Sequence, residues 1–190
     1  AIIVADGVGG AAAGEVASQI AIETVEQSFD PTAILPADML ADIIRKADDA
    51  INRHVDTAPE TMGMGTTIVV AWLRDRQAYV AWCGDSRCYV LNKHGLIQLS
   101  KDHSYVQELV DRGVLDPKQM HEHPLSNIIT RCLGDTYNQA NPETRIYQLG
   151  TGDTIMLCSD GLSSLCSDHD IQETMDTGNT LQLCIKCCHV

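Results

Sequence analysis

Three aspartates occupy the same kind of place in this sequence: Asp6 in Ala5-Asp6-Gly7, Asp85 in Cys83-Gly84-Asp85-Ser86 and Asp160 in Ser159-Asp160-Gly161. Each lies beside a glycine at the end of an apolar run. A carboxylate at a buried strand end is costly unless it is hydrogen-bonded, paired or bound to a cation. The adjoining glycine lets backbone carbonyls approach the same point. Carboxylate and carbonyl oxygens are hard ligands that suit Mg2+ or Mn2+, with water completing an octahedral shell. One Asp-Gly pair is an ordinary turn starter. Three of them favour metal chemistry over three unrelated turns.

The elements that must carry these residues follow from periodicity. Residues 1–5 read as a buried strand with no Met and no polar lead-in, so residues are expected to be missing upstream. Asp6-Gly7-Val8-Gly9-Gly10 is a glycine-rich turn, and Val16, Ile20, Ile22 and Val25 recur near helical spacing over residues 14–28. Pro31 and Pro36 punctuate a loop. Met39, Ile43, Ile44, Ala47 and Ile51 then mark the apolar stripe of a second helix, beside the first and running to about residue 54. Residues 66–73, 77–82 and 86–91 are β-branched and aromatic runs with connections too short for crossover helices, which predicts an antiparallel meander. A short helix over 105–112 stops at Gly113, residues 117–130 are irregular and suggest a surface flap, and 154–159 is a further strand. Helices are expected over 170–175 and from 181 onward. Helices, a meander and helices again make an α+β layered single domain over 1–190.

Composition narrows the function classes. The 190 residues hold 13 Lys+Arg against 26 Asp+Glu, a formal charge of −13, which argues against nucleic-acid binding by bulk charge. With 44% hydrophobic and 21% charged residues the chain is globular rather than an acidic disordered tail. No run approaches the ~20 apolar residues of a membrane span, and no export signal is visible, so a soluble, cytoplasmic protein is expected. Of eight cysteines, Cys83, Cys88, Cys132 and Cys158 lie in apolar runs and read as buried, reduced thiols. Cys184, Cys187, Cys188 and His189 have CxxCCH spacing, which admits a zinc or iron–sulfur site, but their shared helical face reads as core packing.

Taken in order, six segments resemble the metal-dependent PP2C (PPM) family of serine/threonine phosphatases, in particular its bacterial branch. Asp6-Gly7-Val8-Gly9-Gly10 with Gly14-Glu15 and Ala17-Ser18 is similar to the DGxGG…GExAS segment, Met64-Gly65-Thr66-Thr67 to MGTT, and Gly84-Asp85-Ser86-Arg87 to GDSR. Leu99-Ser100-Lys101-Asp102-His103-Ser104 resembles LTxDHS. His123-Pro124 with Ile129-Thr130-Arg131 and Leu133-Gly134 resembles HP…ITRxLG, and Gly152-Asp153 with Cys158-Ser159-Asp160-Gly161-Leu162 resembles GDxxLLCSDGL.

The resemblance implies a four-layer α-β-β-α sandwich with two antiparallel sheets and the metals at one edge between them. It implies two Mg2+ or Mn2+ ions, with a third at a weaker site, activating a water that attacks phosphorus in line. By motif position, Asp6 would bridge both ions, the Gly7 carbonyl would bind one, Asp160 the other, and Asp85 would join Asp160 at the third site. Glu15 would support the metals from nearby or favour the helix dipole. His103 is either the proton donor to the leaving oxygen or a structural histidine. The flap, about 107–133, would cover the cleft and select the phosphoprotein. His121, Glu122 and His123 are discounted as a metal cluster, because neighbours on an extended segment point in alternate directions. The surplus of acid implies that metal is required before a phosphorylated substrate binds.

Several departures accompany the resemblance. Val8 stands where animal members have His. The Arg that holds phosphate and an acidic residue on the family's first strands are not found, nor is the closing Gly/Arg-Asp-Asn segment with its last strand. The sandwich is therefore expected to lack end strands and to expose apolar edges that promote pairing between chains or lower stability. The expected partners are proteins phosphorylated on Ser or Thr, with a Ser/Thr protein kinase as the functional opponent. The competing readings are a catalytically silent phosphoprotein-binding module, a zinc domain centred on Cys184, and a phosphatase acting on an anti-anti-sigma factor.

Overall fold

The structure is a computed structural model that describes residues 1–8, 11–29, 37–137 and 139–177. In chain order the elements are β1 (Ile2–Val4), β2 (Gly7–Val8), α1 (Ala11–Ser28), α2 (Ala37–Thr57), β3 (Gly65–Thr66), β4 (Ile68–Arg74), β5 (Gln77–Cys83), β6 (Arg87–Asn92), β7 (Gly95–Gln98), α3 (Tyr105–Asp111), β8 (Glu143–Gln148), β9 (Thr154–Cys158), α4 (Asp160–Ser163) and α5 (Asp168–Asp176). Gly9, Gly10, the loop around Pro31 and Pro36, and the expected helix from 181 with Cys184, Cys187, Cys188 and His189 lie outside the described residues.

Strand alternation builds the layers. In β4, Ile68, Val70 and Trp72 face α1 and α2, meeting Ala17, Ala21, Val25, Ile44 and Ile51. The alternate residues Val69 and Ala71 face the opposite way, toward Cys88 and Val90 of β6 and Ile155 and Leu157 of β9. On the outer face of that second sheet, Tyr89, Met156 and Cys158 pack on Ile171 and Met175 of α5. Each such buried Ile or Val contributes roughly 1.5–3 kcal/mol of transfer free energy, so the period-two pattern fixes which face each strand turns inward. The result is the expected α-β-β-α sandwich. One antiparallel sheet has strand order β1-β4-β5-β8, the other β7-β6-β9, and β2 pairs with β3 in a small third sheet.

Two expectations are corrected. The runs 66–73, 77–82 and 86–91 do not form one meander: β4 and β5 pair in the first sheet, but β6 belongs to the second. The short link 84–86 is a crossing between sheets, made with Gly84 at φ +115°, a conformation that only glycine adopts readily. The opening strand is an edge strand rather than a buried one, paired on one side with β4 and leaving Ile2 43% exposed. Strand β8, which pairs with β5, was not anticipated, because it is another edge strand whose Ile146 is half exposed.

Asp48 on α2 is almost fully buried, and its two carboxylate oxygens accept from Gly134 N (2.8 Å) and Ala140 N (2.9 Å). It thereby joins the helical layer to the loop that follows the flap. A lost partner leaves buried backbone donors unsatisfied. Asp48→Ala is expected to lower the unfolding free energy by about 3 kcal/mol, measured by urea denaturation against the parent chain.

Candidate metal centre

Asp6 lies just beyond β1, where the backbone turns into β2. Its carbonyl accepts from Thr67 N (2.8 Å) and from the Thr66 hydroxyl (2.9 Å), and its amide donates to Thr67 Oγ1 (3.3 Å). Thr67 Oγ1 in turn shares a buried hydrogen bond of 2.7 Å with Ser86 Oγ, beside Asp85. The two threonines of the MGTT segment thus tie the Asp6 turn to the Asp85 turn. A methyl group on Gly7 would overlap the Gly14 carbonyl, so these two glycines let the turn lie directly against the start of α1. Gly84 meets the same limit, because a Cβ there would stand 2.6 Å from the Thr67 Cβ.

Asp160 opens α4 at the end of β9. Its carboxyl group lies close enough to that of Asp6 to act on its ionisation, with Ser159 and the Gly7 backbone also near the Asp6 carboxylate. Asp6, Gly7, Asp85 and Asp160 line one cleft of about 300 Å³ together with Thr67 and with Asn127 and Ile129 of the flap. A second cleft, about 160 Å³, shares Asp85, Asn127 and Asp160 and adds Asp102, Arg87, Ser104 and His121. A larger groove of about 580 Å³ opens elsewhere, between Asn92 and Gly152, and contains none of the strand-end aspartates.

The electrostatics of the cleft are those of crowded carboxylates. Burial, then the Asp160 and Asp102 charges, push Asp85 up to about 6. Burial and the neighbouring Asp160 raise Asp6 as well. Like charges brought together out of water favour protonation or a shared cation. An all-oxygen donor set of three carboxylates with an exposed glycine beside them fits Mg2+ or Mn2+.

Sequence-expected residues outside this cluster are placed differently. Glu15 is exposed on α1 and lines neither cleft. His103 is also absent from both linings. Its ring is 5% exposed and stacked on Trp82, with Nδ1 accepting from Gly84 N (3.1 Å) and Nε2 lying 3.2 Å from Glu143 Oε1. A neutral ring that accepts at Nδ1 carries its proton on Nε2, which lies near both Glu143 Oε1 and Arg131 Nη1 (3.3 Å). Burial, then the Arg131 charge, hold the ring below its ordinary value. Both ring nitrogens are engaged by groups that line neither cleft.

Two features escaped the sequence reading. Asp102 is buried against Arg87, with Arg87 Nη2 donating to its Oδ2 at 2.6 Å and Nε to both its oxygens at 3.0 Å. Arg87 Nη1 also donates to Tyr89 OH (2.9 Å), which donates to Asp168 of α5 (3.0 Å). The other feature is Asn127, whose place on both cleft linings nothing in its neighbours signals. Cys83 and Cys88 are buried, unpaired thiols pushed up to about 12 by burial, and they take no part in the site.

Comparison with known proteins matches residues 1–182 to the family described as "Protein phosphatase 2C". The chain belongs to the protein phosphatase 2C family. Among curated PP2C relatives, the serine/threonine phosphatase stp of Listeria monocytogenes is 36% identical over 185 residues, which span 95% of this chain and 73% of that protein. The serine/threonine protein phosphatase PstP of Mycobacterium tuberculosis is 37% identical over 177 residues, 92% of this chain and 34% of that one. The crystal structure of the M. tuberculosis PstP/Ppp phosphatase superposes with a TM-score of 0.89 at 34% identity, covering 97% of this chain and 80% of that one. A second PP2C structure, a PstP catalytic domain in complex with two manganese ions, superposes with a TM-score of 0.86 at 33% identity over 97% and 79% of the two chains.

Three like charges around one cleft oppose folding when no cation is present. Asp85→Asn is therefore expected to raise the melting temperature of the chelator-treated protein by a few degrees and to reduce the stabilisation gained on adding Mn2+, both read by thermal unfolding with EDTA and with Mn2+.

Proposed function

We infer that this protein is a metal-dependent phosphatase that hydrolyses phosphoserine and phosphothreonine esters on proteins. The observation that carries the reading is the convergence of Asp6, Asp85 and Asp160, with Gly7, on one cleft in a chain of this family. The naming of its curated relatives as serine/threonine phosphatases supports it over a silent phosphoprotein-binding module.

Asp6 would hold two ions, with the Gly7 carbonyl on one and Asp160 on the other. Asp85 would share a third with Asp160, beside Asp102. When bound, two divalent ions supply a bridging water of lowered pKa and neutralise phosphoryl oxygens. The chain's own contribution is orientation. Thr66 and Thr67 fix the Asp6 backbone, and the Thr67–Ser86 bond sets the spacing between the Asp6 and Asp85 turns. Asn127 and Ile129 place the flap over the cleft, where it would meet the residues flanking the phosphorylated side chain. His103 takes no proton-transfer role. A Ser/Thr protein kinase acting on the same substrates would be the functional opponent, and the cytoplasm the compartment of both. Among the described residues no helix is long and apolar enough to cross a membrane.

Hydrolysis of a phosphothreonine peptide is expected to require Mn2+ or Mg2+ and to stop with EDTA. Asp160→Asn should lower turnover about a hundredfold or more while leaving the far-ultraviolet circular dichroism unchanged. Mn2+-independent turnover, or an unaffected Asp160→Asn enzyme, would overturn the reading.

A further inference from the structure

We propose that His103 is a positioning residue: its ring fixes the Gly84-Asp85 turn against the arm of the flap at 128–131 and so sets how tightly the aspartate cleft holds divalent cations. The proposal rests on the metal-dependent reading above. Gly84 has no side chain with which to anchor itself and adopts φ +115°. Both of its backbone polar groups go to one residue, since Gly84 N donates to His103 Nδ1 (3.1 Å) and Gly84 O accepts from His103 N (3.0 Å). The next residue, Asp85, lines both clefts.

The main chain of the same residue and its two successors holds the flap. Thr130 N donates to His103 O (2.8 Å), Ser104 bridges Ile129, and Tyr105 N donates to Ile128 O (2.8 Å). On the far side of the ring, Nε2 lies 3.2 Å from Glu143 Oε1 and 3.3 Å from Arg131 Nη1 of the flap arm, and Arg131 Nη1 donates to Glu143 Oε1 at 3.0 Å. Trp82 stacks on the ring at 6.3 Å between centroids and 23° between planes, and its indole donates to Lys101 O (2.8 Å). The ring therefore cannot rotate without giving up the Gly84 amide, Glu143 or its stacking partner. Groups that orient a metal ligand without touching the metal typically change affinity when removed.

Two replacements separate the two ends of the ring. Asparagine can offer an oxygen where Nδ1 lies, keeping an acceptor for Gly84 N but losing Glu143, whereas glutamine can carry an amide nitrogen toward Glu143 but offers Gly84 no acceptor. Three readouts apply to each: Mn2+ affinity by calorimetric titration, hydrogen exchange at the amides of 83–87, and the thermal midpoint. His103→Gln is expected to weaken Mn2+ binding about tenfold and to speed exchange at Gly84. His103→Asn should keep Mn2+ binding within about threefold of the wild type and leave Gly84 protected. Equal losses in both variants, a loss confined to His103→Asn, or no loss in either would overturn the proposal. Failure of both to fold would do the same, since His103 would then be a packing residue. If the wild-type protein binds Mn2+ but does not hydrolyse a phosphothreonine peptide, the phosphatase reading fails while the contrast between variants still tests positioning. A wild type that binds no Mn2+ overturns both.

Discussion

Mutual repulsion among carboxylates is the constraint around which this molecule is arranged. Asp6, Asp85 and Asp160 reach one cleft although burial and neighbouring carboxylates oppose the ionisation of Asp6 and Asp85. They also arrive from different parts of the sandwich: Asp6 from the end of β1 in the first sheet, Asp160 from the end of β9 in the second, and Asp85 from the link between β5 and β6 that joins the two. Their separation is therefore set by how the sheets pack. The apolar layer of Val69, Ala71, Val80, Cys88, Val90 and Leu157 holds the sheets in place. Interiors packed at crystal-like density do not deform easily, which lets an apolar core hold a charged site open.

Around that core, polar side chains lock the loops which strand pairing leaves undetermined. Thr67 and Ser86 connect two of the aspartate turns, Asp48 fastens α2 to the loop after the flap, and Arg87 with Asp102 joins the GDSR turn to the DHS segment. The chain of contacts continues through Tyr89 to Asp168 on α5, so the outer helix layer is connected to the cleft by three hydrogen-bonded side chains. A buried ion pair such as Arg87–Asp102 adds little net stability compared with an apolar pair. Its geometry does restrict where Asp102 can stand, close to Asp85 in the second cleft.

Much of this was legible in the residues. The β-branched and aromatic run from Ile68 to Trp72 identified a strand, and the stripe from Met39 to Ile51 identified α2. Asp-Gly pairs marked the ends of β1 and β9. Strand partners were less legible, because a short link such as 84–86 can make a hairpin or a crossing between sheets, and the choice rests on which faces are buried against distant residues. Strand β8 carried only a weak signal, since its edge position leaves both Arg145 and Ile146 exposed.

The sequence by itself determined the chemistry on offer: which oxygen ligands exist, that each strand-end aspartate has a glycine beside it, and that apolar residues recur with the periods of strand and helix. These are local properties, written in residue type and spacing. Only the tertiary structure decided that Asp6, Asp85 and Asp160 share a cleft, that Asp102 approaches Asp85 while paired to Arg87, and that His103 turns toward Gly84 and Glu143 rather than into the cleft. Those outcomes depend on contacts between residues far apart in the chain. A histidine's neighbours in sequence do not show which buried donors and acceptors its two nitrogens will meet once the sheets have closed on each other.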